Sequence, residues 1–204
     1  MITIVDYGLG NISAFANVYK RLNMEVRFAR EAADLGGAER IILPGVGAFD
    51  HAMERLERSG MRETLDHLVL KERIPVLGVC VGMQILTKSS EEGSRPGLSW
   101  IEGQVRSFRS DPRSAGLPLP HMGWNDVVAV QENPLFRGLE DQARFYFLHT
   151  FYMECAAPTD VAAKASYGFD FHCAVNHDNI YGVQFHPEKS HHFGQQLLKN
   201  FGEL

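Results

Sequence analysis

A cysteine framed by two glycines is the chemically most distinctive feature of the sequence. Cys80 ends the apolar stretch 76–79, with Gly78 two residues before it and Gly82 two residues after it, and good helix formers follow at 83–86. This strand–turn–helix order is that of a nucleophile elbow with Cys in place of Ser. So sharp a turn favours residues without a Cβ, and it would aim a helix N-terminus at the sulfur, which favours the thiolate. The alternative is a small buried cysteine in a core strand.

His186 and Glu188 are the residues that would complete such a site. A sulfur nucleophile needs a base that takes its proton and later returns one to the leaving group, and that base must itself be oriented. His186 directly follows the strand predicted over 180–185, and Pro187 discourages a helix there. Residues two apart in an extended segment lie on the same side. The pattern therefore predicts a Cys80–His186–Glu188 triad, with a surface histidine in a turn as the alternative.

Two glycine-containing loops follow other predicted strands. Gly45 and Gly47 flank Val46 directly after the strand predicted over 40–43. Such a loop can present backbone N–H groups to a developing oxyanion, although a plain turn is the alternative. The loop Gly8-x-Gly10 after the first strand lacks the third glycine of a dinucleotide-binding loop. The sequence therefore predicts no Rossmann cofactor, and we expect no cofactor of any kind.

Metal binding and disulfides are not expected. His191 and His192 lie near His186, but no carboxylate or cysteine stands at ligand spacing from them. The three cysteines are an odd number without a C-x-x-C pair, which indicates a reducing compartment. Cys155 and Cys173 lack flanking glycines, so we expect them to be buried thiols.

Composition restricts the class of protein further. A chain of 204 residues with 45% hydrophobic residues suits one domain, predicted to span residues 1–204. The net charge of −5 and the absence of a basic cluster argue against a nucleic-acid or membrane-surface partner. No signal peptide and no apolar run of membrane-spanning length is present, so we expect a cytoplasmic protein.

Strands and helices alternate along the first half of the chain. Apolar patterns predict strands over 2–5, 25–29, 40–43 and 76–79, and helices over 12–22, 49–56 and 61–70. This order predicts an α/β fold of three layers, in which a mostly parallel central sheet carries helices on both faces.

The second half predicts an antiparallel extension of that sheet. An antiparallel region starts near 100–108, and later strands are predicted near 126–130, 144–148, 161–165, 171–176 and 180–185. Asp178 and Asn179 form a predicted hairpin turn, and a helix over 193–201 closes the chain. Residues 109–120 contain three prolines and a glycine, which predicts an exposed, mobile loop.

The motifs together resemble the class I (triad) glutamine amidotransferases. The resemblance rests on residues 78–84 and 184–188. Residues 6–11, 44–47, 120–125 and 186–190 are similar to one branch of that family, the glutaminase subunits of imidazole glycerol phosphate synthase. The similarity covers essentially the whole chain in the same order, and it implies the class I amidotransferase fold.

This resemblance implies a glutaminase without a metal or other cofactor. Cys80 would attack the side-chain amide of L-glutamine to give a γ-glutamyl thioester and ammonia, with His186 moving the protons. An oxyanion hole would be formed by Val81 and by the loop at Gly45 and Val46. The residues that would bind glutamine are Gln84, Glu92, Thr150 and Phe151.

The resemblance also implies a partner protein. In the family the ammonia passes to a cyclase subunit with a (β/α)8 barrel, within a heterodimer. The implied interface residues are Asn11, His121, Met122, Trp124, Asn125 and Lys189. An exposed Trp–Met pair is typical of interfaces, whereas a core position is the alternative for Trp124.

Several features leave other functions open. Val81 stands where the family usually has Leu, and residues 147–151 and 191–194 resemble paralogues that supply ammonia for amination of surface-polysaccharide sugars. A thiol hydrolase acting on peptides or γ-glutamyl conjugates would share the elbow and the histidine. A binding subunit with a vestigial triad is the non-enzymatic alternative.

Overall fold

A computed structural model describes residues 1–139 and 143–204 of the chain, which form one large sheet, one small sheet and several helices. The strands in these residues are β1 (Ile2–Val5), β2 (Val26–Ala29), β3 (Ile41–Gly45), β4 (Val76–Cys80), β5 (Ser89–Ser90), β6 (Gly103–Ser107), β7 (His121–Asp126), β8 (Val128–Ala129), β9 (Arg144–His149), β10 (Phe151–Cys155), β11 (Val161–Tyr167), β12 (Phe169–His177) and β13 (Ile180–Val183). The α-helices are α1 (Ile12–Arg21), α2 (Phe49–Arg58), α3 (Arg62–Leu70), α4 (Val81–Gln84) and α5 (His191–Gly202).

One half of the large sheet is parallel. Its strands lie in the order β2-β1-β3-β4-β13, and each neighbouring pair is parallel. Strands β1, β3, β4 and β13 are buried at every residue. Burial on both faces explains why these segments read as continuous apolar runs rather than as alternating patterns.

The register of the parallel half determines where the motifs meet. Strand β4 lies between β3 and β13, with Cys80 opposite Gly45 and Val79 opposite Val183. The segments that follow these three strands therefore leave the sheet at the same carboxyl edge. Ligands of open α/β sheets bind at this edge.

The other half of the large sheet is mostly antiparallel. Strands β13, β12, β10 and β6 pair antiparallel in that order, and β11 pairs with β12 and β8. Residues 178–179 form the turn between β12 and β13, as predicted. The predicted α/β fold with a mostly parallel sheet and an antiparallel extension is confirmed.

The small sheet is a two-stranded ribbon, β7–β9, with two unlike faces. Its register places His121 opposite His149 and Trp124 opposite Tyr146. His121 and His149 are buried on the inner face, with Phe145 and Phe147. The exposed apolar side chains of the outer face are Met122, Trp124 and Leu148. We call these three residues the outer ribbon face.

Helix α1 shows how local sequence forms these elements. Asn11 caps its start by accepting a hydrogen bond from the backbone N–H of Ala14 at 3.2 Å. Phe15, Val18 and Tyr19 recur at helical spacing and are buried in the core. In these residues the sequence pattern and the observed helix agree.

Strands β7 and β10 differ from what the sequence pattern predicts. The strand predicted near 126–130 begins instead at His121, as β7, because its pairing with β9 extends as far as His149. The segment Phe151–Cys155, not predicted as a strand, is β10 because it pairs with β6 and β12. Pairing between distant segments, rather than local pattern, decides both cases.

The loop over residues 109–120 is mostly exposed, as predicted, but it contains ordered turns. Two short 3-10 turns, Phe108–Ser110 and Pro112–Ser114, are capped by the side chains of Ser107 and Asp111. The Tyr167 hydroxyl donates a hydrogen bond to the Pro118 carbonyl at 2.5 Å. These bonds tie the segment to the domain, which the proline-rich composition did not indicate. None of the helices in residues 1–139 and 143–204 is long and apolar enough to cross a membrane.

Candidate active site

Cys80 lies at a sharp turn between β4 and α4. Its φ of 57° and ψ of −115° fall where residues with a Cβ are rare, and such conformations concentrate at functional sites. An added Cβ on Gly82 would collide with the carbonyl oxygen of Leu43, and one on Gly78 would lie 2.6 Å from the carbonyl oxygen of Gly82. Both glycines are therefore required by close backbone packing. Helix α4 is a single turn, Val81–Gln84, that begins directly after the cysteine.

His186 and Glu188 form a buried pair beside the elbow. The Nδ1 atom of His186 lies 2.9 Å from Oε1 of Glu188, and the two side chains are only 4% and 3% exposed. The backbone N–H of His186 donates to the Tyr146 carbonyl at 2.8 Å, and the Ser190 hydroxyl donates to the His186 carbonyl at 2.6 Å. Strand β9 and the start of α5 thus hold the imidazole in one place.

The electrostatics of His186 favour its protonated form. Burial lowers the pKa of His186, but hydrogen bonds to Cys80 and Glu188 and the charges of both groups outweigh burial and raise this pKa to about 9. An imidazole with that pKa carries a proton at neutral pH. Such a group can hold the thiol proton and deliver it to a leaving amine. Burial and the charge of Cys80 raise the pKa of Tyr7 as well.

A cavity of about 260 Å³ opens above Cys80 and His186. The structure places every residue predicted to bind substrate along its wall, namely Gln84, Glu92, Thr150 and Phe151. The side chain of Glu92 also accepts a hydrogen bond from the backbone N–H of Phe49 at 2.8 Å, so it ties the cavity wall to the start of α2. Burial raises the pKa of Glu92.

The residues predicted for the oxyanion hole are distributed unequally. Val46 and Val81 line the cavity, and Val46 is 41% exposed. Gly45 is instead buried within β3, opposite Cys80, because β3 extends two residues further than predicted. Gly47 lines the cavity in its place and has a φ of 89°. The loop therefore meets the cavity at Val46 and Gly47 rather than at Gly45.

Gln184 is a site residue that sequence reasoning did not single out. It is fully buried, its Nε2 atom lies 3.9 Å from the Cys80 sulfur, and its Oε1 accepts from Nε2 of Gln84 at 3.0 Å. Gln84 also donates to the Phe151 carbonyl at 3.3 Å. A polar residue inside the apolar stretch before His186 was the available signal.

The predicted interface residues divide into exposed and buried side chains. Those exposed to solvent are Asn11, Met122, Trp124 and Lys189. His121 differs from the prediction, since its side chain is only 4% exposed and faces His149 inside the domain. The alternation of side chains along β7 sends it inward. Asn125 is half-buried, because its amide is bonded to His121 and to the Ser166 carbonyl.

Other polar groups offer no metal site in the part of the chain that the structure describes. No group of three or more His, Cys, Asp or Glu side chains there could hold a metal ion. Cys155 and Cys173 are buried, and burial raises the pKa of both thiols, that of Cys155 to about 12. They are therefore poor nucleophiles at neutral pH.

An elbow cysteine, a buried His–Glu pair and an adjoining cavity of about 260 Å³ form a candidate site for cysteine acyl transfer on an α/β sheet. The sequence matches the family model for glutamine amidotransferase class-I over residues 3–203. Solved structures with a similar fold include a crystal structure of a glutamine amidotransferase, with a TM-score of 0.77 and 19% identity, covering 99% of this chain and 97% of that one. Another is the structure of PurLQS from Thermotoga maritima, with a TM-score of 0.74 and 15% identity, covering 98% and 96%.

Curated relatives narrow the class. The chain is 63% identical over 204 residues to imidazole glycerol phosphate synthase subunit HisH of Bdellovibrio bacteriovorus, covering 100% of both chains. It is 54% identical to the HisH subunit of Leptospira borgpetersenii and 47% identical to HisH 2 of Pseudomonas aeruginosa, again covering 100% of each chain. The chain belongs to the HisH family of class-I glutamine amidotransferases.

Proposed function

We propose that this chain is the glutaminase subunit of an imidazole glycerol phosphate synthase. It would hydrolyse L-glutamine to glutamate and ammonia and pass the ammonia to a cyclase subunit. The observation that carries this proposal is the strained elbow at Cys80 beside the buried His186–Glu188 pair, at one end of the cavity. The names of the full-length relatives support the choice of synthase.

The first half of the reaction forms a thioester. The Cys80 thiolate attacks the carboxamide carbon of glutamine, and a carbon–sulfur bond forms as the carbonyl becomes an oxyanion. Protonated His186 then gives its proton to the departing nitrogen, the carbon–nitrogen bond breaks, and ammonia leaves. Backbone N–H groups of Val81 and of the loop at Val46 would bind the oxyanion. Each well-aligned donor of this kind lowers the activation free energy by about 3–4 kcal/mol.

The second half releases glutamate. Neutral His186 accepts a proton from water, and the resulting hydroxide attacks the thioester carbonyl. The carbon–sulfur bond breaks, which regenerates the Cys80 thiolate and protonated His186. Glu188 stays hydrogen-bonded to Nδ1 of the imidazole throughout. The carboxylate thereby keeps Nε2 directed toward the sulfur and stabilises the positive charge of the imidazolium.

The ammonia would be transferred without release to water. Free ammonia is mostly ammonium at neutral pH and is then no nucleophile. We propose that it enters a cyclase subunit with a (β/α)8 barrel, in a cytoplasmic heterodimer. There it would be incorporated into a phosphoribulosyl formimino ribotide, giving imidazole glycerol phosphate and the purine precursor AICAR of histidine biosynthesis. The exposed Met122 and Trp124 beside the cavity residue Leu148 support docking on this side.

Substitution of the nucleophile in the assembled synthase tests this proposal. Cys80→Ala should reduce glutamine-dependent synthesis about 10⁴-fold or more, while ammonia-dependent synthesis stays within about twofold of wild type. Cys155→Ala, which alters a buried thiol remote from the cavity, is the matched control and should retain both activities. Loss of both activities in Cys80→Ala would contradict the division of labour, and unchanged glutamine-dependent synthesis would contradict the nucleophile.

A further inference from the structure

A continuous series of hydrogen bonds connects the ribbon to the cavity. At its outer end, Nδ2 of Asn125 lies 3.3 Å from Nε2 of His121. Nδ1 of His121 lies 2.9 Å from Nε2 of His149, and Nδ1 of His149 lies 2.7 Å from the Phe151 carbonyl oxygen. All three distances are within hydrogen-bonding range, and the two histidines face each other because their strands are in register.

The series continues from Phe151 to the sulfur. The Phe151 carbonyl accepts a second hydrogen bond from Nε2 of Gln84 at 3.3 Å. The same Gln84 amide donates to Oε1 of Gln184 at 3.0 Å. Nε2 of Gln184 then lies 3.9 Å from Sγ of Cys80. Side chains of five residues therefore link strand β7 to the nucleophile through one backbone carbonyl.

Backbone groups determine the direction of every bond in this series. A carbonyl oxygen only accepts, so Phe151 requires a proton on Nδ1 of His149, and in neutral His149 this makes Nε2 an acceptor for the Nδ1 proton of His121. Nε2 of His121 is then the acceptor for Asn125. The amide of Asn125 is itself fixed, because it donates to the Ser166 carbonyl at 2.9 Å and accepts from the backbone N–H of Asp126 at 2.8 Å.

The Phe151 carbonyl also determines the amide orientation of Gln84 and Gln184. Phe151 requires that the Gln84 atom beside it is the NH2 group, and that group then requires the oxygen of Gln184. The NH2 group of Gln184 is thereby turned toward the Cys80 sulfur. With the opposite amide orientation, two NH2 groups would face each other and a carbonyl oxygen would face the thiolate. The network excludes that arrangement because it would leave buried donors unpaired.

Burial keeps both histidines in the neutral form that the series needs. The pKa of His149 is lowered to about 3, chiefly by burial, with further lowering by the charges of His121 and His186. Burial lowers the pKa of His121 to about 4. Each ring therefore carries one proton at neutral pH, and can donate at one nitrogen and accept at the other.

We propose that this network sets the Gln184 amide as a hydrogen-bond donor to the Cys80 sulfur, with Gln84, His149 and His121 as positioning residues. Gln184 touches the reacting atom and acts catalytically by stabilising its anionic form. The inference rests on the proposed function only in taking Cys80 as the nucleophile. The Cys80 anion would then be stabilised by two groups, the imidazolium of His186 and the neutral amide of Gln184, and the amide transfers no proton.

Alkylation of Cys80 as a function of pH tests the donor, in the chain alone and without glutamine. Peptide mass spectrometry after treatment with iodoacetamide distinguishes alkylation of Cys80 from alkylation of the other thiols. The two titratable side chains that interact with Cys80, namely His186 and Tyr7, are the same in every variant. Gln184→Glu places a carboxylate beside the sulfur and should raise the midpoint pH of alkylation by about one unit or more. Gln184→Met removes the donor without adding charge and should raise it by a smaller amount. Gln196→Met, on α5, alters a glutamine that bonds only Asn200 among the described side chains and should leave the profile unchanged.

Substitution of His149 tests the positioning residues. His149→Phe should raise the same midpoint by less than Gln184→Met does, and should lower kcat about tenfold with little change in KM. His149→Asn retains an amide donor near the Phe151 carbonyl, so it should recover part of this loss. Equal losses in both variants would indicate a packing role only and would contradict the positioning role.

Nitrogen-15 NMR of the wild-type chain labelled at histidine gives an independent test that no folding defect can obscure. We expect His121 and His149 to carry their protons on Nδ1 at neutral pH. Protonation of either ring on Nε2 would overturn the network, as would an alkylation profile of Gln184→Glu that matches wild type. Neither readout involves glutamine turnover, so failure here is distinguishable from failure of the proposed glutaminase.

Discussion

The parallel half of the large sheet and the ribbon β7–β9 both border the cavity, but they are built on opposite principles. In the parallel half, buried backbone fixes the chemistry, since Cys80 has a φ of 57° and Gly82 packs directly on the carbonyl of Leu43. The ribbon is two-sided, with His121 and His149 buried inside and the outer ribbon face left open to solvent. The outer ribbon side chains are partly exposed, so the fold depends on them less than on the buried inner face.

Because of this difference, we expect substitutions in the two regions to affect different properties, namely stability, activity or docking. Changes at the elbow glycines, Gly78 and Gly82, should affect fold and chemistry together, because their close backbone packing determines both. Changes on the outer ribbon face should affect only what docks there. Changes on the inner ribbon face should affect both fold and chemistry, but weakly, because the buried histidines contact the sulfur only through other residues.

The largest expected effect is that of Gly82→Ala at the elbow. The new Cβ collides with the Leu43 carbonyl, so the free energy of unfolding should fall by about 3 kcal/mol in a urea titration, and glutaminase activity should be lost. Gly36→Ala is the matched control, because its nearest neighbouring atom would lie at 3.4 Å and its φ is negative. Equal free energies of unfolding for the two variants would contradict the claim that the backbone packing at the elbow requires glycine.

Glu188→Gln should have the next largest effect, on chemistry more than on fold. Loss of the carboxylate leaves the imidazolium unsupported, so kcat should fall about 10²–10⁴-fold. The pKa of His186, about 9 with Glu188 in place, should fall in the variant.

The same pair predicts how stability depends on pH above neutrality. Because the folded state binds the His186 proton more tightly than the unfolded state, its contribution is complete below pH 6.5 and is lost as the pH rises through about 9. The free energy of unfolding of Glu188→Gln should therefore decline less steeply over that range, as urea titrations at several pH values would measure. Parallel slopes for wild type and variant would contradict the role of the ion pair.

Trp124→Ala on the outer ribbon face should weaken docking to the cyclase about 10–100-fold. The midpoint of thermal unfolding of the isolated chain should fall only modestly, because the side chain is 41% exposed and packs mainly on His191 at the domain surface. Val128→Ala on β8, which removes an exposed apolar side chain outside the ribbon, is the control and should leave the dissociation constant unchanged. If both variants bind like wild type, the partner docks elsewhere.

The inner ribbon face should make the smallest contribution, visible as acid sensitivity. The folded pKa values of His121 and His149 lie near 4 and 3, below that of an unfolded histidine, so the unfolded state binds more protons below pH 6.5. The free energy of unfolding should decline as the pH falls from 6.5 toward 4. The decline should be shallower in His149→Phe than in wild type or in His51→Gln, which alters an exposed histidine of α2. The same slope in all three chains would argue against buried neutral imidazoles.

Features encoded in short stretches of sequence could be predicted. The elbow at Cys80 lies within seven residues, and the pairing of His186 with Glu188 spans only three. The pairing is present although Pro187–Lys189 forms a 3-10 turn and not the predicted extended segment. Alternating strands and helices predicted the parallel half of the sheet for the same reason. In these segments, local geometry and tertiary structure require the same residues.

Features that depend on pairing between distant segments could not be predicted. The His121–His149 contact exists because β7 and β9 pair in one particular register, and a shift by one residue would turn both side chains outward. The family resemblance assigned His121 to the partner interface, whereas the register of the ribbon turns its side chain inward. The contact of Gln184 with Gln84 joins residues 100 positions apart, and the sequence gives no indication of it.

Direct detection of the acyl-enzyme tests the central claim, that Cys80 is the nucleophile. The assembled synthase turning over L-glutamine would be quenched in acid, digested and analysed by mass spectrometry for a γ-glutamyl group. We expect this adduct on the peptide that contains Cys80, and we expect it to be absent from Cys80→Ala. Undiminished glutamine consumption by Cys80→Ala, or an adduct on Cys155 or Cys173 instead, would contradict the claim.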